Sequence, residues 1–156
     1  MKKILVMVLS LIVCFTTLAC SCNKVDPVVL EDAQYTTGIG EIRFMESFDP
    51  LQEKIDSRST FVFYMYGATC SGCHRFTPIL EEYVEENGIN IYAVEVNMVA
   101  RGNLALKQTL GCTPAIGIIK DGELYQYIDA CNKNHTSYFM DKEGLNSWFE
   151  KYIVMK

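Results

Sequence analysis

The chain has 156 residues, of which 49% are hydrophobic and 21% charged, a composition that suits a packed globular protein and excludes a disordered one. This length is enough to bury a core but short for two full domains. The formal net charge is −5, and no lysine or arginine cluster follows the first three residues, which excludes a nucleic-acid binder with a basic face.

The first nineteen residues have the pattern of an export signal. Lys2 and Lys3 precede a nearly uninterrupted apolar run over residues 4–18, which is too short to span a membrane comfortably but fits the hydrophobic region of a signal peptide. The run ends in Thr17-Leu18-Ala19-Cys20, which resembles the lipobox of bacterial lipoproteins, where the cysteine is lipidated and becomes the new N-terminus.

This pattern predicts that residues 1–19 are a lipoprotein signal peptide and that Cys20 anchors the protein by a lipid to a membrane of the bacterial cell envelope. The alternative is an uncleaved N-terminal anchor, in which Cys20 is incidental. Both interpretations place the folded part outside the cytoplasm, where disulfides persist.

The rest of the chain predicts a short leading segment and one domain. Residues 20–45 have mixed polarity and no sustained period, so we expect a tether and a loosely packed lead into a domain over residues 46–156. The first half of the domain predicts a helix over 46–58, a strand over 60–66, a helix from residue 70 through Tyr83 with a kink at Pro78, and a strand over 89–96. The second half predicts a helix over 103–110, strands over 115–120 and 123–130, and a helix over 143–153. An Asp-Gly turn joins the last two strands. This order predicts an α/β fold, with a central mixed sheet and helices on both faces.

Two cysteines three residues apart follow the first predicted strand, at the start of a predicted helix. The free N–H groups and the dipole of a helix N-terminus favour the thiolate of the first cysteine, and the thiolate is the nucleophile in disulfide exchange. The second cysteine is close enough to attack the resulting mixed disulfide. Cys70 is therefore predicted as the nucleophile and Cys73 as the resolving thiol.

Residues 46–154 resemble the thioredoxin family. The resemblance rests on the strand over 61–66, on Cys70-Ser71-Gly72-Cys73, on Pro78 in the helix, and on Gly111-Cys112-Thr113-Pro114 before a strand and an Asp-Gly turn. It implies a thioredoxin-like fold and thiol–disulfide exchange without an organic cofactor. It also implies that Pro114 is cis and faces the two cysteines, and that the backbone of Thr113 pairs with the substrate chain as an added strand.

Departures from the family pattern leave the direction of electron flow open. The tryptophan that usually flanks the motif is replaced by Thr69, and the motif lacks its proline. Tyr64 occupies the strand position where thioredoxins commonly carry a buried acid that assists proton transfer to the second cysteine. These changes affect how strongly the Cys70 thiolate is stabilised, and the reduction potential depends on that. Thr113 before the proline resembles the choice of envelope isomerases and reductases in the family.

His74, which directly follows the motif, has two interpretations. It either adds positive charge near the cysteines or relays a proton, or it is a half-exposed polar residue of the helix.

A structural zinc site at Cys70 and Cys73 is the alternative to redox chemistry, but zinc normally takes four ligands and the sequence has no second CxxC and no HxxxH. We therefore favour redox chemistry and predict no metal.

The remaining cysteines of the domain predict a second disulfide beside the first. If Asp121-Gly122 is a two-residue turn, Lys120 pairs with Glu123, so the residue numbers of directly opposed positions add up to 243. The numbers of Cys112 and Cys131 also add up to 243, which places the two cysteines opposite each other within reach of a disulfide. We expect these two to be bridged, either as a structural bond or as a second redox pair that exchanges with Cys70–Cys73. In the alternative, a bulge at Pro114 breaks the register and both are free thiols. The polar stretch 132–142 is predicted to be an inserted loop over the site that contributes to partner choice.

Together these features predict an exported, membrane-tethered thiol–disulfide oxidoreductase that acts on protein disulfides and exchanges electrons with another redox protein of the membrane or envelope. The alternative from a different class is a non-catalytic binding module, such as an accessory subunit of a secretion or transport machine, with the Cys70–Cys73 disulfide permanent. A metal or copper chaperone is the third possibility.

Overall fold

The computed structural model describes residues 25–156, so the predicted signal peptide and Cys20 lie outside the described residues. Five strands form one sheet in the spatial order β1-β3-β2-β4-β5. The strands are β1 (Ile42–Phe44), β2 (Phe61–Tyr66), β3 (Ile91–Glu95), β4 (Ala115–Lys120) and β5 (Glu123–Asp129). The helices are α1 (Asp49–Asp56), α2 (Ser71–Asn87), α3 (Val96–Gly102), α4 (Leu104–Leu110) and α5 (Lys142–Tyr152). Within this part of the chain, no helix combines the length and apolarity needed to cross a membrane.

Strand β2 lies at the centre of the sheet and is buried on both faces. It pairs in parallel with β3 and antiparallel with β4. Val62 and Tyr64 pack into the core that contains α2 and α5, whereas Phe61, Phe63 and Met65 pack into the core that contains α1, α3 and α4. Because successive side chains of a strand point to opposite faces, one apolar run supplies both cores. The predicted mixed sheet with helices on both faces is confirmed.

Residues 28–44 are tied to the sheet and the core at several points, which differs from the expected loose lead. Strand β1 pairs in parallel with β3 and forms one edge of the sheet. Val28 and Leu30 are buried in the core beside α5. Fully buried Gln34 donates to the carbonyls of Val62 and Asn90 at 2.7 and 3.0 Å and accepts from the Val62 N–H at 2.8 Å. The amide of Gln34 thus completes the hydrogen bonds of β2 where its pairing with β3 begins.

The hairpin turn forms as predicted. Asp121 and Gly122 both have positive φ, at 52° and 82°, which is the requirement of a type I′ turn. Lys120 pairs with Glu123 and Ile119 with Leu124, in the predicted register.

Beyond these two pairs the predicted register is wrong. Ile118 pairs with Gln126, so Tyr125 is the extra residue of a β-bulge within the hairpin. The Tyr125 hydroxyl donates to the Asp26 carbonyl at 3.1 Å. The sequence of the hairpin does not predict this contact with the leading segment. Cys112 and Cys131 are therefore not directly opposed positions of the ladder.

Three smaller differences follow from weak local signals. Helix α2 continues four residues past Tyr83, to Asn87, and runs through Pro78. Helix α3 was not predicted, because its seven residues bury only Val99 and show no repeated apolar spacing. The predicted loop over 132–142 contains a 3₁₀ helix, Lys133–Phe139, none of whose residues is buried.

Replacing Gln34 with leucine should destabilise the domain, because the Val62 N–H and two carbonyls would lose their partner in the core. We expect the free energy of unfolding in urea to fall by about 2–4 kcal/mol. The matched control is Gln108→Leu at an exposed position of α4, where we expect a change within about 0.5 kcal/mol. Equal effects of the two substitutions would contradict a structural role for the leading segment.

Candidate active site

Cys70 and Cys73 form a disulfide at the N-terminus of α2, with their Cα atoms 5.2 Å apart. Cys70 is the N-cap residue of the helix, in extended conformation, and its Sγ accepts a hydrogen bond from the Cys73 N–H at 3.0 Å. In the reduced protein the same N–H and the helix dipole would stabilise a thiolate on this sulfur. The Cys70 carbonyl accepts from the His74 N–H at 3.1 Å, which continues the helix from the motif.

The two sulfurs differ in access. Cys70 is half-buried, while Cys73 is only 3% exposed. An incoming disulfide therefore reaches Cys70 more readily than Cys73, which is the order that the sequence predicts for nucleophile and resolving thiol.

The loop before β4 faces the motif, and its Thr113–Pro114 peptide bond is cis, as the resemblance implies. The Thr113 carbonyl oxygen lies 3.5 Å from Cys70 Sγ. Within residues 25–156, neither the N–H nor the carbonyl of Thr113 takes part in a backbone hydrogen bond. Thr113 thus offers an unused donor and acceptor next to the half-buried sulfur.

Small residues allow this close approach. A Cβ placed on Gly72 would lie 3.1 Å from Pro114 Cδ, and one placed on Gly67 would lie 3.2 Å from Cys70 Cβ. Both contacts are tighter than ordinary van der Waals distances, so a larger residue at either position requires its neighbour to shift by a few tenths of an ångström.

Tyr64 fills the space beneath the helix where thioredoxins commonly carry an acid. Its ring is fully buried, and its hydroxyl lies 3.1 Å from Thr77 Oγ1, one helical turn after Cys73. Burial raises the pKa of Tyr64 to about 12, although the Thr77 hydrogen bond lowers it. Tyr64 therefore stays neutral at physiological pH and cannot serve as the base that a carboxylate provides.

A cleft of about 300 Å³ is lined by Cys73 and Thr77 of α2. His74 also lines this cleft, with an otherwise exposed side chain, as do Phe44 of β1 and Tyr66 of β2, whose rings are 5.4 Å apart. His74 thus places an imidazole in the same cleft as the resolving cysteine. Sequence reasoning missed Phe44, because β1 is only three residues long.

A second disulfide joins Cys112 and Cys131, whose Cα atoms are 5.6 Å apart. Cys112 lies in the loop just ahead of Thr113, and Cys131 lies just after β5. The pair is therefore bridged in the structure even though the register argument that suggested it fails. The ends of the two strands remain adjacent, since the Ala130 N–H donates to the Pro114 carbonyl at 3.1 Å.

A buried carboxylate organises the chain around Cys131. Asp129 is 7% exposed, and its Oδ1 accepts from the N–H groups of Cys131 and Asn132 at 2.8 and 3.1 Å. The His135 imidazole accepts from the Asp129 N–H through Nδ1 at 3.1 Å. Among the residues that the structure describes, no three His, Cys, Asp or Glu side chains are grouped as metal ligands.

Comparison with known proteins supports the predicted architecture. The thioredoxin family model matches residues 41–142. The chain is 25% identical over 89 residues to thioredoxin C-2 of Corynebacterium nephridii, an alignment that covers 56% of this chain and 82% of that protein.

Solved thioredoxins share the fold at low sequence identity. The thioredoxin Mala s 13 of Malassezia sympodialis has a TM-score of 0.55 and 14% identity, over 76% of this chain and 96% of its own. Oxidised thioredoxin O1 of Arabidopsis thaliana has a TM-score of 0.51 and 19% identity, over 72% of this chain and 98% of its own. The predicted thioredoxin-like fold is confirmed.

The raised pKa of Tyr64 predicts a loss of stability at alkaline pH. Since the folded state holds this proton to about pH 12 and an unfolded tyrosine releases it near pH 10, the stabilisation is complete below pH 10 and is lost as the pH rises toward 12. Urea denaturation at pH 8 and 11 should show that Tyr64→Phe loses about 1 kcal/mol less than the wild type over this interval. If the two proteins lose the same free energy of unfolding between pH 8 and 11, the predicted difference in the pKa of Tyr64 between folded and unfolded states is wrong.

Proposed function

The chain belongs to the thioredoxin family of thiol–disulfide oxidoreductases, and on that premise we propose that it exchanges disulfides with exported proteins in the bacterial cell envelope, held there by a lipid on Cys20. The observation that carries the chemical part is the half-buried Cys70 sulfur, which accepts a helix N–H and faces Thr113 beside cis-Pro114.

Substrate binding uses the free backbone of Thr113. An extended substrate segment next to its own disulfide pairs with the N–H and carbonyl of Thr113, as a short added strand. Because Thr113 O lies 3.5 Å from Cys70 Sγ, this pairing brings the substrate sulfur to the nucleophile.

In the reducing direction the exchange takes two steps. The Cys70 thiolate attacks one substrate sulfur, a Cys70–substrate disulfide forms, and the other substrate sulfur leaves as a thiolate that takes a proton from solvent. Cys73 then loses its proton and attacks Cys70 Sγ, which releases the second substrate thiol and forms the Cys70–Cys73 disulfide. The substrate has gained two electrons, and a dithiol redox partner of the membrane or envelope must return them to the chain. Oxidation of a substrate dithiol is the reverse sequence.

His74 is the proton acceptor that suits the second step. Neutral Tyr64 replaces the carboxylate of other thioredoxins, while the His74 imidazole lines the same cleft as Cys73. A neutral imidazole can act as a general base, and from this cleft it can pass the proton of the nearly buried Cys73 to solvent.

The N-terminal sequence supports the location. The apolar run over residues 4–18 and the lipobox-like Thr17-Leu18-Ala19-Cys20 are the pattern of an exported lipoprotein. An oxidising compartment also suits a chain with a second disulfide, Cys112–Cys131, outside the reactive motif.

Disulfide reduction assays with the two motif variants test the activity. With insulin as substrate and dithiothreitol as the electron source, Cys70→Ser should lower the rate to that of dithiothreitol alone, because no nucleophile remains. When reduced Cys73→Ser is freed of dithiothreitol and mixed with insulin, a mixed disulfide with the substrate should accumulate, visible by mass spectrometry, because the resolving step is missing. Equal rates for the wild type and Cys70→Ser would favour a non-catalytic binding module.

The anchor is tested by changing Cys20. In a bacterial host supplied with labelled palmitate, the full chain should incorporate the label and sediment with membranes, whereas Cys20→Ala should do neither. Cys22→Ala is the matched control and should behave as the wild type. Label in the Cys20→Ala protein would refute Cys20 as the lipidation site.

A further inference from the structure

The Cys112–Cys131 disulfide lies beside the reactive motif, but the proposed exchange reaction does not use it. Cys112 directly precedes Thr113, whose carbonyl oxygen is 3.5 Å from Cys70 Sγ. Cys131 begins the segment over residues 131–141, which includes the 3₁₀ helix Lys133–Phe139. The bond therefore joins the loop beside the reactive sulfur to a separate surface segment.

The far end of the 131–141 segment contacts the reactive helix. The Phe139 ring meets the Phe76 ring edge-on, with centroids 4.9 Å apart, and Phe76 lies in α2 three residues after Cys73. The segment thus reaches from the Thr113 loop to α2, the two elements that meet at Cys70 Sγ.

The 131–141 segment is held at both ends, and the disulfide is its covalent link to the Thr113 loop. At its start, Asp129 Oδ1 accepts from the N–H groups of Cys131 and Asn132, and the His135 imidazole accepts from the Asp129 N–H. At its far end, half-buried Tyr138 and Phe139 pack against the core. No residue of its 3₁₀ helix is buried, so loss of the covalent link lowers the free-energy cost of opening the segment.

The bond is also open to exchange without unfolding. Cys131 is exposed and Cys112 is half-buried, in contrast to nearly buried Cys73. Neither Cys112 nor Cys131 belongs to either core cluster. An external thiolate can therefore reach the bond, and its opening leaves both cores intact.

We propose that Cys112–Cys131 is a second, exchangeable disulfide that fixes the 131–141 segment as a wall of the substrate groove, so that its reduction weakens binding of protein substrates while the Cys70–Cys73 exchange continues. The inference rests on the proposed function for what lies in the groove. Opening needs a dithiol: one of its thiolates attacks Cys131 Sγ, Cys112 leaves as a thiolate, and the second thiol of the reductant then releases Cys131. The chain gains two thiols and the reductant becomes a disulfide.

The first experiment measures the bond and the wall without any activity assay. In the Cys70→Ser/Cys73→Ser variant, titration with dithiothreitol, alkylation and mass spectrometry should show Cys112 and Cys131 becoming reduced while the far-UV circular dichroism stays native. Hydrogen exchange should then quicken in residues 131–141 and not in β2 or α5. Reduction only upon unfolding, or unchanged exchange in 131–141, would overturn the proposal.

The second experiment separates substrate binding from chemistry in the Cys112→Ser/Cys131→Ser variant. With dithiothreitol held below the concentration that reduces Cys112–Cys131 in the first experiment, we expect KM for insulin to rise about tenfold, equivalent to about 1.4 kcal/mol of binding, with kcat and the turnover of a small aromatic disulfide within about twofold of the wild type. Glu150→Gln, at an exposed position of α5 outside the segment, is the control and should leave KM unchanged. The same KM as the wild type, or an equal loss toward both substrates, would refute the role in binding.

Failure of the proposed function gives a different pattern. If the wild type acts no faster than Cys70→Ser on either substrate, the exchange function is wrong, and the reduction and hydrogen-exchange measurements alone decide whether the second disulfide controls the wall.

Discussion

The site depends on one hydrogen bond, from the Cys73 N–H to Cys70 Sγ at 3.0 Å. It makes the reactive sulfur the cap of a seventeen-residue helix, so the free N–H groups and the dipole of α2 act on the atom that must carry negative charge. The remaining structure serves to keep that sulfur there and to leave it accessible. Strand β2 fixes the start of the motif through burial on both faces, and the glycines at 67 and 72 let the Thr113 loop approach it closely.

The buried polar groups divide between structure and chemistry. Gln34 forms hydrogen bonds with the backbone of β2 and so links the leading segment to the sheet. Asp129 accepts hydrogen bonds from the backbone around Cys131. Neither is hydrogen-bonded to the Cys70 sulfur. Tyr64 meets Thr77 one helical turn after Cys73, and because burial raises its pKa it contributes a neutral hydroxyl rather than a base. In the proposed exchange, the proton of Cys73 therefore leaves through the cleft that His74 lines.

The second disulfide shows how a correct pairing can follow from an incorrect register. Counting from the Asp121-Gly122 turn makes Cys112 and Cys131 direct partners, but the bulge at Tyr125 shifts the ladder by one residue from Ile118 onward. The bridge still forms because the chain leaves both strands at the same end of the sheet, where the Ala130 N–H meets the Pro114 carbonyl and the geometry is no longer that of a ladder. The bulged residue Tyr125 contacts Asp26 of the leading segment, which is distant in sequence.

The sequence by itself determined the elements whose signals are local: the doubly buried strand β2, the cysteines at a helix start, the Asp-Gly hairpin and the closing helix α5. These depend on side-chain period, turn chemistry and capping within a few residues, so a short window contains their cause. Only the tertiary structure decided that residues 28–44 join the core, that Phe44 walls the cleft beside Cys73, and that Phe139 rests on Phe76. Each of these contacts joins residues far apart in the chain, and its free energy comes from surfaces that exist only after the sheet and its helices have assembled.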